Sequence, residues 1–238
     1  MTTDIAQIRR EIAIGCRILG EDDQGDLILG HVSCRDPEGR GVWMKASSFG
    51  FDEITSDQVI LVSWDGRVLE GEHRRHLEYP IHTRLMQARP DVNAVVHTHA
   101  PWAVAFGSLG VPFRPISHEP TLFVPPEIAR FEQTSDLIIT DELGDDVAAT
   151  VGARNAALLI NHGIVACGID VPTAVMTALT LERGCMTNVR AYAAGGPRHW
   201  SSDEEALAKR EHCFPEQIVD QAWAYLVRRM TATGDAID

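Results

Sequence analysis

Apolar positions along the chain follow two spacings, one typical of helices and one typical of strands. Ile5, Ile8, Ile12 and Leu19 recur at helical spacing, which predicts an amphipathic helix over residues 5–19. Short β-branched runs bounded by turn residues predict strands. These predicted strands cover residues 30–39 (running into a turn), 42–46, 58–62, 67–69, 94–99, 137–139, 157–160 and 164–168.

The stretches between the strands predict further helices. They cover residues 78–89, 102–108, 145–151, 172–192 and 202–229, the last interrupted near Pro215. Tight turn signals at Asp65-Gly66 and Asn161-His162-Gly163 join neighbouring strands, which favours antiparallel pairing. We therefore expect one α/β domain over residues 1–238, with a central, largely antiparallel sheet between two layers of helices.

Composition narrows the class of protein. The 238 residues carry a formal net charge of −13, which argues against unaided binding to nucleic acid or to an anionic membrane. No apolar run reaches the roughly 20 residues that span a bilayer, and the N-terminus has no apolar signal core. Five cysteines without paired spacing are typical of reduced thiols. We expect a soluble protein that stays in the cytoplasm.

Three histidines stand at predicted strand ends or turns. His97 and His99 are two residues apart in a strand, so their side chains share a face, and His162 lies at the tip of a hairpin. Glu78 lies at the start of the predicted helix before the histidine strand. Three imidazoles and a carboxylate are an ordinary ligand set for a divalent metal, although a histidine pair alone is also compatible with two unrelated polar residues.

Three motifs resemble the class II aldolase/adducin superfamily. They are Glu78-Tyr79-Pro80, the segment from Ala88-Arg89-Pro90-Asp91 to Val96-His97-Thr98-His99, and Asn161-His162-Gly163, within a similarity over about residues 5–195. The resemblance implies the αβα fold and one divalent metal (zinc, manganese, iron or cobalt) on His97, His99 and His162. It also implies that Glu78 acts as a ligand or as an acid/base, and that active sites lie between the subunits of a homotetramer.

The chain departs from the sugar-phosphate aldolases of this superfamily at their phosphate-binding positions. His31 replaces an asparagine, His76-Leu77 replaces a serine pair, and Ser47-Ser48 replaces a Thr-Gly loop. A leucine side chain cannot donate a hydrogen bond to phosphate. We therefore expect a substrate other than a sugar phosphate.

The chain looks closer to superfamily members that decarboxylate hydroxylated aromatic acids such as dihydroxyphthalate. We expect Glu78, His118 and Glu119 to be the candidate catalytic acids, with His118-Glu119 near the position of the aldolase tyrosine donor. The candidate substrate ligands are His31, Arg35, Ser47, Ser48, Arg74, Arg75 and His76. Two alternatives stay open: an aldolase for another hydroxy-carbonyl compound, and a metal-free, adducin-like interaction protein.

Overall fold

Eight strands and seven helices make up the protein, in a computed structural model that describes residues 4–232. The strands are β1 (His31–Arg35), β2 (Gly41–Lys45), β3 (Val59–Ser63), β4 (Val68–Glu70), β5 (Ala94–Thr98), β6 (Ala129–Phe131), β7 (Ala156–Leu159) and β8 (Gly163–Gly168). The helices are α1 (Ile5–Glu21), α2 (Tyr79–Ala88), α3 (Pro101–Ser108), α4 (Asp141–Val151), α5 (Val171–Ala193), α6 (Asp203–Cys213) and α7 (Glu216–Ala232).

All eight strands form one sheet in the order β4-β3-β2-β1-β5-β8-β7-β6. Every neighbouring pair is antiparallel except β6 and β7, which are parallel. In this order β5 lies in the middle of the sheet, where β1 pairs His31 with His97 and β8 pairs Val165 with His97. The predicted α/β class with a largely antiparallel sheet is confirmed.

Helices cover both faces of the sheet because the strand residues alternate between two apolar cores. Val96 of β5 faces the core formed with α1, α3, α5 and α7, whereas Val95 faces the core formed with α2 and α4. His97 continues this alternation and therefore lies on the α2 side. The three-layer αβα arrangement follows from two apolar faces that each need a partner layer.

One predicted strand is wrong, and one strand was missed. Residues 137–139 show the expected exposed–buried–exposed alternation, with Ile138 fully buried, but they pair with no strand. The amide of Ile138 instead donates to the Glu78 carboxylate at 2.8 Å. The sheet edge is formed by Ala129–Phe131, a three-residue strand too short to carry a clear alternation.

Helix boundaries differ from the predicted ones by a few residues, for local reasons. Helix α4 begins at Asp141, because the Thr140 side chain caps it by accepting from the amide of Leu143. The last helical region is broken before Pro215, as predicted. Within residues 4–232, no helix is both long and apolar enough to cross a lipid bilayer.

Candidate metal centre

The two histidines of β5 meet the other candidate ligands at one end of the sheet. His97 is fully buried in β5, and His99 follows the strand directly with its side chain 19% exposed. Because they are two residues apart, both imidazoles point toward the α2 side, and their ring centroids are 5.3 Å apart.

A tight turn between β7 and β8 brings His162 to the same place. Asn161 adopts a left-handed conformation with φ of 57°, which asparagine tolerates better than most residues. A side chain at Gly163 would place its Cβ atom 2.4 Å from the Thr98 carbonyl oxygen, so only glycine permits this close approach. The His162 ring consequently lies 5.0 Å from the ring of His97 and 5.3 Å from that of His99.

Glu78 completes the cluster from the residue that precedes α2. Its two carboxylate oxygens lie 3.6 Å from Nε2 of His97 and 3.5 Å from Nε2 of His162. The carboxylate does not cap its own helix; it accepts the amide hydrogen of Ile138 instead. The carboxylate is therefore held toward the histidines.

The cluster has the composition and geometry of a divalent metal site. Glu78, His97, His99 and His162 each offer one ligand atom, and these atoms all lie within 4.8 Å of one another. Nε2 of each of the three histidines is buried and has no hydrogen-bond partner. Buried nitrogen atoms without partners are costly, and a shared metal ion would satisfy all three at once. The residues present therefore fit a divalent cation.

Outer contacts orient two of the three imidazoles. Nδ1 of His97 donates to the Ile164 carbonyl oxygen at 2.9 Å. Nδ1 of His99 donates to the Asp26 carboxylate at 2.8 Å. Each contact leaves Nε2 as the lone-pair nitrogen, which is the form that binds a metal.

Burial sets the charge state of the cluster. It lowers the pKa of His97, because a charged imidazolium is poorly solvated there, and this effect exceeds the opposing attraction of Glu78. Burial alone would raise the pKa of Glu78, but the nearby imidazoles of His162 and His97 outweigh it and hold the pKa well below its ordinary value. A neutral imidazole and an ionised carboxylate are what a cation requires.

A second group of buried polar residues adjoins the ligands. The His31 ring lies 5.0 Å from the His97 ring and 4.4 Å from the His76 ring. Nδ1 of His31 lies 2.6 Å from Nε2 of His82, whose Nδ1 lies 2.6 Å from the Ser33 hydroxyl. Burial lowers the pKa of His31 and His82 well below the ordinary range, so both are neutral. The wall beside the metal ligands is therefore built of neutral imidazoles.

Two predicted arginine ligands have structural partners instead. The Arg35 guanidinium bonds to the carbonyl oxygens of Met86, Arg89 and Val92. It lies at the far end of β1 from His31, about 13 Å along the strand, and the structure does not bring it to the cluster. Arg75 stacks on Tyr79 at 4.2 Å and donates to the carbonyl oxygens of Gly66 and His76. Its bonds support the loop before α2.

The serine loop lies at the same end of the sheet as the ligands, since it directly follows β2. The Ser47 hydroxyl donates to the Arg74 carbonyl oxygen at 3.0 Å, which occupies it with the loop itself. Ser48 is exposed and has a left-handed φ of 73°. Of this pair, Ser48 has the hydroxyl that no other described residue binds.

His118 and Glu119 lie apart from the cluster of their own chain. They begin a short 3-10 turn (Glu119–Leu122) that packs on α5 and α6, on the opposite side of the sheet from α2. His118 is exposed and contacts the Cys213 thiol at 3.5 Å, and Glu119 accepts from the Ser117 hydroxyl at 2.7 Å. Neither side chain contacts a candidate metal ligand.

Sequence reasoning overlooked two residues that support the site. Nothing in the sequence around Asp26 marks it as the partner of His99, because 73 residues separate them. Lys45 did carry a signal: it is one of only two lysines in the chain and ends an apolar strand. It is fully buried, with Nζ 3.3 Å from Nε2 of His76.

The fold, and a cluster that could hold a divalent metal, are of the class II aldolase type, and comparison with known proteins agrees. The family model described as "Class II Aldolase and Adducin N-terminal domain" matches residues 10–189. The chain belongs to this family. All four candidate metal ligands lie inside the matched region.

Relatives within the family include both decarboxylases and aldolases. The chain is 30% identical to the 3,4-dihydroxyphthalate decarboxylase of Arthrobacter keyseri, with 95% of each chain covered. It is 29% identical to the 5-deoxy-D-ribulose 1-phosphate aldolase of Bacillus thuringiensis serovar kurstaki, covering 79% of this chain and 87% of that one. The solved L-fuculose 1-phosphate aldolase of Glaciozyma antarctica superposes with a TM-score of 0.86 at 23% identity, covering 99% of this chain and 94% of that one.

Proposed function

We propose that this protein is a divalent-metal-dependent carbon–carbon lyase that decarboxylates a hydroxylated aromatic carboxylic acid. The observation that carries the proposal is the wall beside the candidate metal ligands. It consists of His31 and His76, with Lys45 behind them, where sugar-phosphate aldolases place small polar residues. Dihydroxyphthalate decarboxylases among the relatives support the same substrate class.

The residue before Glu78 also favours an aromatic substrate. Leu77 is 62% exposed although its neighbours His76 and Glu78 are buried. A large apolar side chain in this position offers a surface for an aromatic ring and no hydrogen bond for a phosphate group. We propose that Leu77 packs against the substrate ring while His31 and His76 contact its carboxylate groups.

The chemistry needs an electron acceptor and a proton. A bound divalent cation on His97, His99 and His162 would supply positive charge that polarises a substrate hydroxyl oxygen. Loss of carbon dioxide leaves an electron pair on the ring carbon, and one proton must reach that carbon. Glu78 is ionised at rest, so we propose that it accepts the proton of the substrate hydroxyl and delivers it to the ring carbon after carbon dioxide leaves, and the product oxygen then regains a proton from solvent.

His118 and Glu119 remain candidate proton donors only if a second chain takes part. Both lie away from their own cluster, and His118 is exposed. We propose a homotetramer with active sites between subunits, in which these side chains reach the cluster of a neighbour. Light scattering of the purified protein tests this arrangement, and a monomer that retains full activity contradicts it.

A second candidate function is an aldolase for a hydroxy-carbonyl compound. The observation in its favour is the likeness to 5-deoxy-D-ribulose 1-phosphate aldolase, together with the exposed hydroxyl of Ser48 at the same end of the sheet. The metal-free, adducin-like alternative is disfavoured because all four candidate ligand side chains are present and converge.

The deciding experiment offers the metal-loaded protein two kinds of substrate. Carbon dioxide release is measured from dihydroxyphthalate-type acids, and aldehyde release is measured from sugar phosphates. We expect carbon dioxide release that stops when a chelator removes the metal. Turnover of sugar phosphates alone overturns the decarboxylase proposal, and metal-free protein of equal activity overturns the metal dependence of either reaction.

A further inference from the structure

Two neighbouring cavities lie on the α5 side of the sheet, away from the candidate metal centre. The first has a volume of 140 Å³ and the second a volume of 220 Å³. Leu122 and Asn155 line both, so the cavities adjoin each other. Asn155 directly precedes β7, whereas His162 follows the other end of that strand. Taken together, the two volumes fall within the range of small-molecule sites, about 300–1,000 Å³.

The first cavity is lined by two arginines and by no acidic residue. These arginines are Arg154 and Arg210. Nε of Arg154 donates to the Glu127 carbonyl oxygen at 3.2 Å, and Nε of Arg210 donates to the Thr121 carbonyl oxygen at 2.7 Å. Carbonyl groups are neutral acceptors, so they hold both guanidinium groups in place without cancelling their charge.

Neither arginine has a carboxylate partner within residues 4–232. Nη2 of Arg210 donates to the Pro125 carbonyl oxygen at 2.5 Å, which leaves its Nη1 group for a ligand. Glu127, whose carbonyl oxygen binds Arg154, directs its carboxylate to the amide of Phe113 at 3.0 Å instead. The chain carries a net charge of −13, yet these two cations beside one cavity have no acidic partner, which favours an anionic ligand.

The second cavity is mostly apolar. Helices α5 and α7 supply much of its lining, including Met176 and Val219, and Phe214 lines it from the turn between α6 and α7. The Thr177 hydroxyl on the same wall donates to the Thr173 carbonyl oxygen of its own helix at 2.8 Å, so its hydrogen is already used. A cavity of this composition binds an apolar group better than a polar one.

We propose that the two cavities together bind an amphipathic carboxylate, whose anionic head lies between Arg154 and Arg210 and whose apolar tail fills the second cavity. The planar guanidinium group matches a carboxylate in shape and charge, and burial of the tail adds affinity. A small inorganic anion would leave the apolar cavity unfilled, and a neutral apolar compound would leave both arginines without a partner. The site lies apart from the candidate metal centre, so the inference does not depend on the proposed reaction.

Three small probes measure the contributions of head and tail separately. Calorimetry on the metal-loaded, full-length protein compares octanoate (head and tail), acetate (head) and octanol (tail), the two weaker probes by competition against octanoate. Because each buried methylene group is worth about fourfold in affinity, we expect octanoate to bind at least about 30-fold more tightly than acetate. It should also bind at least about tenfold more tightly than octanol, the size of one charge-assisted contact. Octanoate that binds no more tightly than either of the other two overturns the proposal.

Two substitutions locate the ligand, and each has a matched control. Arg154→Gln should lower octanoate affinity about fivefold, whereas Arg198→Gln makes the same charge change at an exposed arginine that lines neither cavity and should stay within about twofold. Ala222→Leu should fill part of the second cavity and lower octanoate affinity at least about tenfold, with acetate affinity unchanged. Ala224→Leu, at an exposed position of α7, should have no effect. Equal losses in a cavity variant and its control contradict the inference.

Methionine methyl resonances of the wild-type protein keep the test independent of variant folding. Met176 lines the apolar cavity, whereas Met186, further along α5, lies outside it. Carbon-13 labelling of the methionine methyl groups makes both visible, and Met176→Leu and Met186→Leu assign them. Octanoate should shift the Met176 resonance and leave that of Met186 in place. Binding of octanoate without a shift of Met176 would place the acid elsewhere, such as at a bound metal ion, and overturns the inference.

Discussion

Removal of the Asp26 carboxylate is expected to weaken metal binding without removing a ligand. Asp26 accepts from Nδ1 of His99 at 2.8 Å and thereby holds Nε2 toward the other ligands. Loss of such an outer contact typically lowers metal affinity 10- to 100-fold, or about 1.4–2.7 kcal/mol. The Asp26 side chain is 46% exposed, so water screens it, and we expect the lower end of this range.

Two substitutions of Asp26 should weaken metal binding to different extents. Asp26→Ala should raise the dissociation constant for zinc about tenfold, since His99 loses the carboxylate that accepts from its Nδ1 and holds its ring in place. Asp26→Asn should raise it by about threefold, because the amide oxygen can still accept the hydrogen bond but carries no charge. Competition with a chromophoric chelator measures the constants, and cobalt absorption reports whether the coordination geometry is kept.

A control variant distinguishes the orienting role of Asp26 from the loss of one negative charge anywhere on the protein. Asp57→Asn makes the same charge change at a side chain that is 96% exposed and pairs only with Arg9 at 3.7 Å. It should leave the zinc dissociation constant within about twofold of the wild type. If Asp26→Ala also stays within that range, or if Asp57→Asn weakens binding as much, the proposed orienting role of Asp26 is wrong.

Three further outcomes follow from the site. His99→Ala should lose both metal and activity, measured by elemental analysis and carbon dioxide release, while circular dichroism stays native; retained metal contradicts its role as a ligand. Glu78→Gln should keep the fold and most of the metal, because the amide can still accept from Ile138, yet lower kcat at least about 100-fold; unchanged turnover removes its acid/base role. Finally, the metal-free protein should lose stability as pH falls from 7.5 to 5.5. Histidines of the unfolded chain take up protons below about pH 6.5, whereas burial keeps several histidines of the folded protein neutral. Each of these lowers the free energy of unfolding by up to about 1.4 kcal/mol per pH unit. A free energy of unfolding, measured with urea, that does not change over this range contradicts the prediction that these buried histidines stay neutral. These histidines, with their pKa lowered mainly by burial, are His31, His76, His82 and His97.

Local signals predicted the part of the site that depends on local geometry. The shared face of His97 and His99 follows from strand alternation, and the position of His162 follows from a turn motif of three residues. Neither depends on distant contacts. The αβα class could likewise be predicted, because the order of apolar runs and turn signals reflects which elements are neighbours.

Other predictions failed where a distant partner decided the outcome. Residues 137–139 have the alternation of a strand, but the Ile138 amide bonds to Glu78, 60 positions earlier in the chain. Arg35 was expected at the substrate and instead binds three carbonyl oxygens at the other end of β1. An arginine in a sequence shows its charge but not which acceptors surround it.

The placement of the candidate metal ligands thus follows from spacing and turn chemistry, which act over two or three residues, whereas the expectation of a metal there came from the family resemblance. The protonation states of the residues beside these ligands, in contrast, depend on the tertiary packing. Lys45, His76 and His31 come from separate segments, and their pKa values depend on burial and on their neighbours. Burial is a property of the whole packed molecule, so no single segment could reveal that a lysine would be enclosed beside two neutral imidazoles.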